Sequence, residues 1–146
     1  MHGYGGNAIN QQTYSQMDQY AHSENVTVVY PQGLNSSWNV FTYWDSNPYD
    51  DVGFISAMIS DISENFSIDL DRVYACGMSN GGFMSYTLAC EKSDVFKAIA
   101  SITGTMSGKD WEDCNPSSGI PVMQISGTND RTVPWDGTMS TAYGWG

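Results

Sequence analysis

The sequence RVYACGMSNGGFMSYTL occupies residues 72–88 and divides into three parts. Residues 72–76 favour a β-strand, residues 77–82 form a glycine-rich turn, and the apolar side chains of residues 83–88 predict one side of a helix. The turn carries the pattern G-x-S-x-G at residues 77–81, in which a serine occupies a sharp strand-to-helix junction with strained backbone geometry. We therefore predict that Ser79 lies at such a junction. The simpler alternative is a glycine-rich turn with an incidental serine.

The hydroxyl of Ser79 is a candidate nucleophile, because the junction would place it above the N-terminus of the following helix. There the Asn80 N–H can donate a hydrogen bond to a developing oxyanion. A second donor is required, and the His-Gly-Tyr sequence at residues 2–4 resembles the segment that supplies it in hydrolases of this kind. The Tyr4 N–H is our candidate for that donor, and the His2 ring is expected to shape the loop through local hydrogen bonds.

A candidate acid follows the apolar run at residues 121–126. The sequence GTND at residues 127–130 stands where a carboxylate that orients a catalytic histidine belongs, in the chain order Ser, Asp, His. Asp130 is therefore the candidate, with an Asx-turn as its alternative role and Asp136 as the fallback acid. The two histidines of the sequence, His2 and His22, both precede Ser79. We expect His22 to be a solvated residue at a helix end, so the general base is not among these residues.

The remaining pattern predicts an α/β fold. Apolar, β-branched runs at residues 26–30, 71–76, 96–102 and 121–126 predict strands, and helical spacing of apolar residues predicts helices over 11–23 and after Asp50 and Asp51. One of these two carboxylates is expected to cap its helix, which we favour over a metal site. Strands that alternate with helices imply a mostly parallel sheet with helices on both faces.

Composition narrows the class of protein. The chain has 146 residues, which fits a single domain. Five Lys and Arg against sixteen Asp and Glu give a formal net charge of −11, so nucleic acids and anionic membranes are not expected partners. No apolar run approaches the ~20 residues of a membrane helix. We expect no cofactor and no metal.

Seven short motifs are distributed along nearly the whole chain: HGYG (2–5), VYPQG (29–33), DDVGF (50–54), DRVY (71–74), GMSNGGFM (77–84), GTND (127–130) and VPW (133–135). Together they resemble the α/β-hydrolase superfamily. The closer resemblance is to the polyhydroxybutyrate depolymerase family of esterases, a neighbour of the feruloyl and acetylxylan esterases.

The resemblance implies Ser79 as nucleophile, Asp130 as acid and a base histidine beyond residue 146. It also implies a secreted protein, extracellular or periplasmic, in which residues 1–146 are a partial catalytic domain that is incomplete at both ends. A central strand between those at 26–30 and 71–76 would then be missing. We expect the polypeptide alone to be unstable, because each unpaired buried backbone group costs ~1–3 kcal/mol.

In a secreted family, Cys90 and Cys114 are candidates for a disulfide with Cys76 buried in its strand, and three free thiols are the alternative. The resemblance also places the loop at residues 31–49 near the active-site face. Its aromatic side chains then either contact the substrate or pack the loop onto the body of the protein, and the candidates are Trp38, Tyr43 and Trp44.

The implied function is that of a serine esterase that hydrolyses ester bonds through an acyl-enzyme. Polyester is the first substrate class. A feruloyl or acetyl ester on a polysaccharide, or a peptide, is the alternative, since one triad serves all of them. An alternative of another class is a binding protein that keeps the fold and lacks the base.

Overall fold

The computed structural model describes residues 1–40, 47–140 and 145. Phe41, Tyr43 and Trp44 of the predicted aromatic loop lie outside the described residues. The helices are α1 (Ala8–Ser15), α2 (Met17–Ala21), α3 (Asp51–Asn65), α4 (Asn80–Glu91) and α5 (Gly108–Asp113), and the strands are β1 (Val73–Met78), β2 (Phe96–Ile102) and β3 (Val122–Ile125).

The three strands form a parallel sheet in the order β1-β2-β3. Parallel neighbours need a crossover connection, which α4 provides between β1 and β2 and the segment with α5 provides between β2 and β3. Met78 lies opposite Ile102, and Ile102 lies opposite Ile125, so all three strands end at one edge of the sheet. The predicted strand at 96–102 matches β2 residue for residue. The other two strands are confirmed with shifted ends, because a short 3-10 turn at Leu70–Arg72 delays the start of β1.

The centre of the core lies on α4, which packs across β1 and β2. Phe83, Met84 and Leu88 are fully buried on this helix and cluster with Phe96 and Ile99 of β2. Burial of each such side chain contributes ~1.5–3 kcal/mol. The helix that follows the glycine-rich turn is therefore fixed against the sheet by its apolar side, as its sequence predicts.

Residues 26–30 do not form a strand, so this prediction is wrong. Val26 and Val29 are partly exposed, and the segment has no ladder hydrogen bonds within the described part of the chain. The β-branched pattern is present, but a strand forms only where a neighbouring strand accepts and donates its backbone hydrogen bonds. The edge of β1 is instead paired with Met1, whose amino nitrogen donates to the Cys76 carbonyl at 2.7 Å and whose carbonyl accepts from the Met78 N–H at 3.2 Å.

A groove of about 1270 Å³ separates residues 26–31 from β1. The structure has two helices, α1 and α2, where one helix is predicted over residues 11–23. Both helices line the groove. Asn7 caps the start of α1, and Gln16 ends that helix with a left-handed φ of 53°. Glutamine is a good helix former, so no local signal marks this break. The apolar side chains of Tyr14 and Met17, which the helical spacing places on one face, line the groove.

The two carboxylates at the start of α3 have separate roles. Asp50 is the cap, as predicted for one of the pair, and its side chain accepts from the Gly53 N–H at 2.7 Å. Asp51 is buried and accepts from the Asn39 N–H at 2.7 Å. The start of α3 is therefore tied to the segment that precedes it.

Cys90 and Cys114 form a disulfide, and Cys76 is a free thiol in β1. The predicted disulfide is therefore correct, whereas Cys76 is half-buried and not buried as predicted. Beside the disulfide, the buried Thr87 hydroxyl donates to the Asp110 carboxylate at 2.8 Å. Two links thus hold α5 and its following residue against the end of α4.

Parallel strands connected by helices make this an α/β fold, as predicted. Within the described ranges, no helix is both long enough and apolar enough to cross a membrane.

Candidate active site

Ser79 lies between the last residue of β1 and the first residue of α4, with φ 52° and ψ −119°. Such a conformation costs a residue with a side chain ~1–3 kcal/mol. The turn is held by the Ser79 N–H, which donates to the Ile102 carbonyl at 2.8 Å, and by the Ser79 carbonyl, which accepts from the N–H groups of Gly82 and Phe83. The strained backbone that G-x-S-x-G predicts is confirmed.

Helix capping does not account for this serine. Serine is a preferred N-cap residue because its side chain accepts a hydrogen bond from the first turn of the helix. The side chain of Ser79 makes no such hydrogen bond. Ser79 is therefore a half-buried residue at the start of α4 whose hydroxyl has no capping role.

Two glycines of the motif are required by close backbone contacts. A Cβ atom at Gly77 would collide with the backbone carbonyl of Gly81. A Cβ atom at Gly81 would lie 2.6 Å from the His2 carbonyl oxygen, which is closer than side chains pack. The glycines thus allow α4 to cross both β1 and the segment at residues 1–4.

The candidate oxyanion loop runs beside Ser79. A Cβ atom at Gly3 would lie 3.4 Å from the Ser79 Cβ atom, and Tyr4 is the next residue of the loop. The Gly6 N–H donates to the Gly3 carbonyl at 3.0 Å, which closes a turn around Tyr4. The Asn80 N–H belongs to the first turn of α4, where N–H groups have no carbonyl partner within the helix. The structure therefore brings the loop that contains Tyr4 beside the junction of Ser79 and Asn80, and the role of the two N–H groups stays a prediction.

His2 has a structural role, as predicted. Its ring is buried, with Nδ1 at 2.9 Å from the Gly3 carbonyl oxygen and Nε2 accepting from the Gly33 N–H at 3.0 Å. Acceptance at Nε2 leaves the proton on Nδ1, which donates to Gly3. Burial lowers the pKa of His2 and favours this neutral form. His22 is exposed at the end of α2, as expected.

Asp130 lies in the loop after β3, at the same sheet edge as Ser79. Because β2 separates β1 from β3, the two loops are about two strand spacings apart, or ~10 Å. The Asp130 carboxylate accepts through Oδ1 from the N–H groups of Thr132 and Val133, at 2.8 and 3.0 Å. The local hydrogen bonds of the turn alternative are therefore present. The same hydrogen bonds would also orient the carboxylate toward a histidine, so they are compatible with both roles. The role of Asp130 as the acid stays a prediction.

The fallback acid, Asp136, is exposed. Hydrogen bonds from the Thr138 hydroxyl and N–H, at 2.7 and 3.1 Å, lower the pKa of its carboxyl. In the ranges 1–40, 47–140 and 145, no three His, Cys, Asp or Glu side chains are grouped as a metal site.

The side chain of Asn80 was missed by motif reasoning, because the residue after the serine is unspecified in G-x-S-x-G. This side chain is fully buried and forms two hydrogen bonds to the backbone of Trp38. Trp38 is itself fully buried, so of its two alternative roles the packing role is correct. No pattern in the sequence connects position 80 with position 38.

Residues 37–115, more than half of the chain, match the prolyl oligopeptidase family. The chain belongs to this family. The match spans α3, β1, the Ser79 turn, α4, β2 and α5, so the turn with the strained serine lies inside it. As a prolyl oligopeptidase family member the chain is an α/β-hydrolase, which confirms the superfamily resemblance drawn from the motifs.

Curated relatives of this family member are esterases by their descriptions. NocK of Nocardia uniformis subsp. tsuyamanensis, described as an esterase, is 34% identical over 97% of this chain and 42% of its own length. Feruloyl esterase C of Emericella nidulans is 33% identical over 78% of this chain and 39% of its own length. Feruloyl esterase B of Piromyces equi is 29% identical over 92% of this chain and 26% of its own length. The chain thus spans less than half the length of the curated relatives named here.

Proposed function

We propose that this chain carries the nucleophile, the acid and the oxyanion donors of a serine esterase. The observation that carries the proposal is the backbone of Ser79, which is strained at the junction of β1 and α4 although its side chain caps nothing. Strained conformations of this kind cluster at active sites, where the surrounding structure holds them in place. The esterase relatives support the same reaction class.

In the proposed reaction, Ser79 Oγ attacks the ester carbonyl carbon and its proton passes to a histidine base. The carbonyl oxygen becomes an oxyanion that accepts hydrogen bonds from the N–H groups of Tyr4 and Asn80. Cleavage of the bond to the alcohol oxygen releases the alcohol, which takes the proton from the histidine and leaves an acyl-enzyme. Water then attacks the acyl carbon by the same route, which releases the acid and restores the serine. Asp130 orients the histidine.

The histidine base is proposed to come from outside these 146 residues. His2 is unsuited because both of its ring nitrogens are hydrogen-bonded to the backbone, Nδ1 to the Gly3 carbonyl and Nε2 to the Gly33 N–H. His22 is an exposed residue at the end of α2, and its exposure fits a solvated histidine. A histidine encoded downstream of Asp130 supports this assignment, and a complete reading frame without one contradicts it.

The proposed substrate is a feruloyl-type ester of a plant polysaccharide, which the names of two relatives support. The polyester substrate that the motifs suggest is the second candidate, because the motif resemblance to polyhydroxybutyrate depolymerases extends along most of the chain. An extracellular or periplasmic location is part of the proposal. The Cys90–Cys114 disulfide supports it, because structural disulfides persist in oxidising compartments.

The test uses the natural protein that contains these residues, its Ser79→Ala variant and a matched Ser60→Ala control. Ser60 is an exposed serine on α3. Hydrolysis of p-nitrophenyl butyrate, methyl ferulate and polyhydroxybutyrate is measured. We expect Ser79→Ala to lose at least ~10³-fold in kcat while Ser60→Ala keeps the parent rate.

Faster cleavage of methyl ferulate than of the polyester is the expected order for a feruloyl esterase, and the reverse order favours the polyester. Equal rates from Ser79→Ala and the parent protein overturn the assignment of the nucleophile. A parent protein that binds these esters and hydrolyses none of them is instead the non-catalytic binder.

A further inference from the structure

The side-chain amide of Asn80 connects the nucleophile turn to a distant segment. Its Oδ1 accepts from the Trp38 N–H at 2.7 Å, and its Nδ2 donates to the Trp38 carbonyl at 3.1 Å. One amide thus pairs with both backbone polar groups of a single residue. Asn80 and Trp38 are both fully buried, so water does not compete for these hydrogen bonds.

Trp38 extends this connection to the loop that contains Tyr4. Its indole Nε1 donates to the His2 carbonyl at 2.9 Å, and its ring lies 4.9 Å from the His2 ring. Farther along the same two segments, the Gly5 N–H donates to the Ser36 carbonyl at 2.8 Å. The backbone of the loop is therefore held on both sides of Gly3 and Tyr4.

We propose that the Asn80 side chain is a positioning residue for the oxyanion hole, acting through Trp38 on the loop that carries the Tyr4 N–H. The inference rests on the proposed function, since it assigns a task within that site. A donor stabilises an oxyanion only when it lies within hydrogen-bond distance of the position that the charged oxygen reaches. The backbone N–H of Asn80 is fixed by α4, and the amide of the same residue fixes the loop that supplies the second donor.

Loss of the amide leaves the N–H and carbonyl of Trp38 buried without these partners, and the loop can relieve this only by moving. Such a movement displaces the Tyr4 N–H relative to the Asn80 N–H. Substrate binding away from the reacting carbonyl is unaffected. The signature of the positioning role is therefore a loss of transition-state stabilisation with little change in KM.

The experiment uses Asn80→Ala and Trp38→Phe in the natural protein that contains these residues. The assays give kcat and KM for p-nitrophenyl butyrate, and the affinity for butylboronic acid, which forms a tetrahedral adduct with an active serine. For Asn80→Ala we expect kcat and boronate affinity to fall by ~10²-fold, as for the loss of one oxyanion donor, with KM within about threefold of the parent value. Trp38→Phe keeps an aromatic side chain, although a smaller one, and removes the N–H that binds the His2 carbonyl. We expect it to lower both quantities by about tenfold.

Thr87→Val is the matched control. It removes a buried hydrogen bond from the same helix α4, two turns away from Ser79, where the Thr87 hydroxyl meets Asp110. We expect this variant to lose stability to urea and to keep kcat and boronate affinity within about twofold of the parent values. A loss of stability alone then has a different signature from a misplaced donor.

The outcomes separate this inference from the proposed function. If Ser79→Ala abolishes activity while Asn80→Ala and Trp38→Phe keep kcat and boronate affinity within about twofold, the positioning role is wrong and the nucleophile stands. Equal kcat losses in Asn80→Ala and Thr87→Val also overturn it. If Ser79→Ala keeps the parent rate, the proposed function fails. If Asn80→Ala does not fold, Trp38→Phe decides by the same criteria.

Discussion

The backbone strain at Ser79 is measurable without any activity assay. Ser79→Ala removes the hydroxyl and keeps the Cβ atom, whereas Ser79→Gly removes both. The observed φ of 52° and ψ of −119° cost a residue with a Cβ atom ~1–3 kcal/mol, and glycine escapes most of this cost. Glycine loses ~0.5–1 kcal/mol more than alanine through backbone entropy on folding. We therefore expect Ser79→Gly to be more stable than Ser79→Ala by about 0.5–2 kcal/mol.

Urea unfolding followed by tryptophan fluorescence measures this difference. At a typical slope of ~2 kcal/mol per molar urea, the unfolding midpoint of Ser79→Gly should lie about 0.3–1 M above that of Ser79→Ala. The pair Ser60→Gly and Ser60→Ala, in the middle of α3, provides the opposite control, since glycine in a helix interior costs ~1 kcal/mol relative to alanine. If glycine destabilises position 79 as it does position 60, the strain is absent and the reasoning is refuted.

Three further predictions concern the frame around the site. Replacing Cys90 and Cys114 by alanine opens a loop of 24 residues, and we expect a loss of about 3.5 kcal/mol in the urea unfolding free energy; an unchanged midpoint contradicts this. The pKa of His2 is lowered by burial, so the unfolded chain takes up a proton below pH ~6.5 that the folded state does not. The free energy of unfolding should therefore decrease as the pH is lowered below that value. His2→Gln keeps an acceptor for the Gly33 N–H, and we expect its free energy of unfolding, measured by urea titration at each pH, to decrease less than that of the parent protein. Gly81→Ala places a Cβ atom 2.6 Å from the His2 carbonyl oxygen, so we expect it to lower the free energy of unfolding by ~1–3 kcal/mol. We also expect a lower kcat with a smaller change in KM. A kcat equal to that of the parent contradicts the contact.

The elements that the sequence predicted well are those specified by local pattern. The strand at 96–102 is a largely apolar run, and it matches β2 residue for residue. The cap at Asp50 is predicted because a carboxylate directly precedes the helical pattern of apolar residues. Its side chain accepts from the Gly53 N–H, three residues later. The Ser79 turn is indicated by a motif of five residues, within which Gly77 is required by its close contact with Gly81. In each case the signal that predicts the element lies within a few consecutive residues.

The failures concern partners that are distant in sequence. Residues 26–30 have the composition of a buried strand, but pairing depends on which backbone lies beside them, and composition contains no such information. The break between α1 and α2 occurs because Gln16 has a left-handed φ. Glutamine is a good helix former, so the sequence does not predict this conformation. The Asn80 amide binds a residue 42 positions away, so neither periodicity nor a motif of five residues reveals it.

The hydrogen bonds that join residues 1–6, residues 32–40 and the Ser79 turn have a consequence for protein engineering. Loop grafting and saturation mutagenesis usually treat each surface loop of a hydrolase as an independent module. Here the Trp38 backbone and indole are shared by two loops and by the first residue of α4. A graft that replaces residues 32–40 from a donor enzyme therefore has to include the donor's residues at positions 2–5 and 80, and libraries that vary these positions one at a time will sample mostly broken combinations.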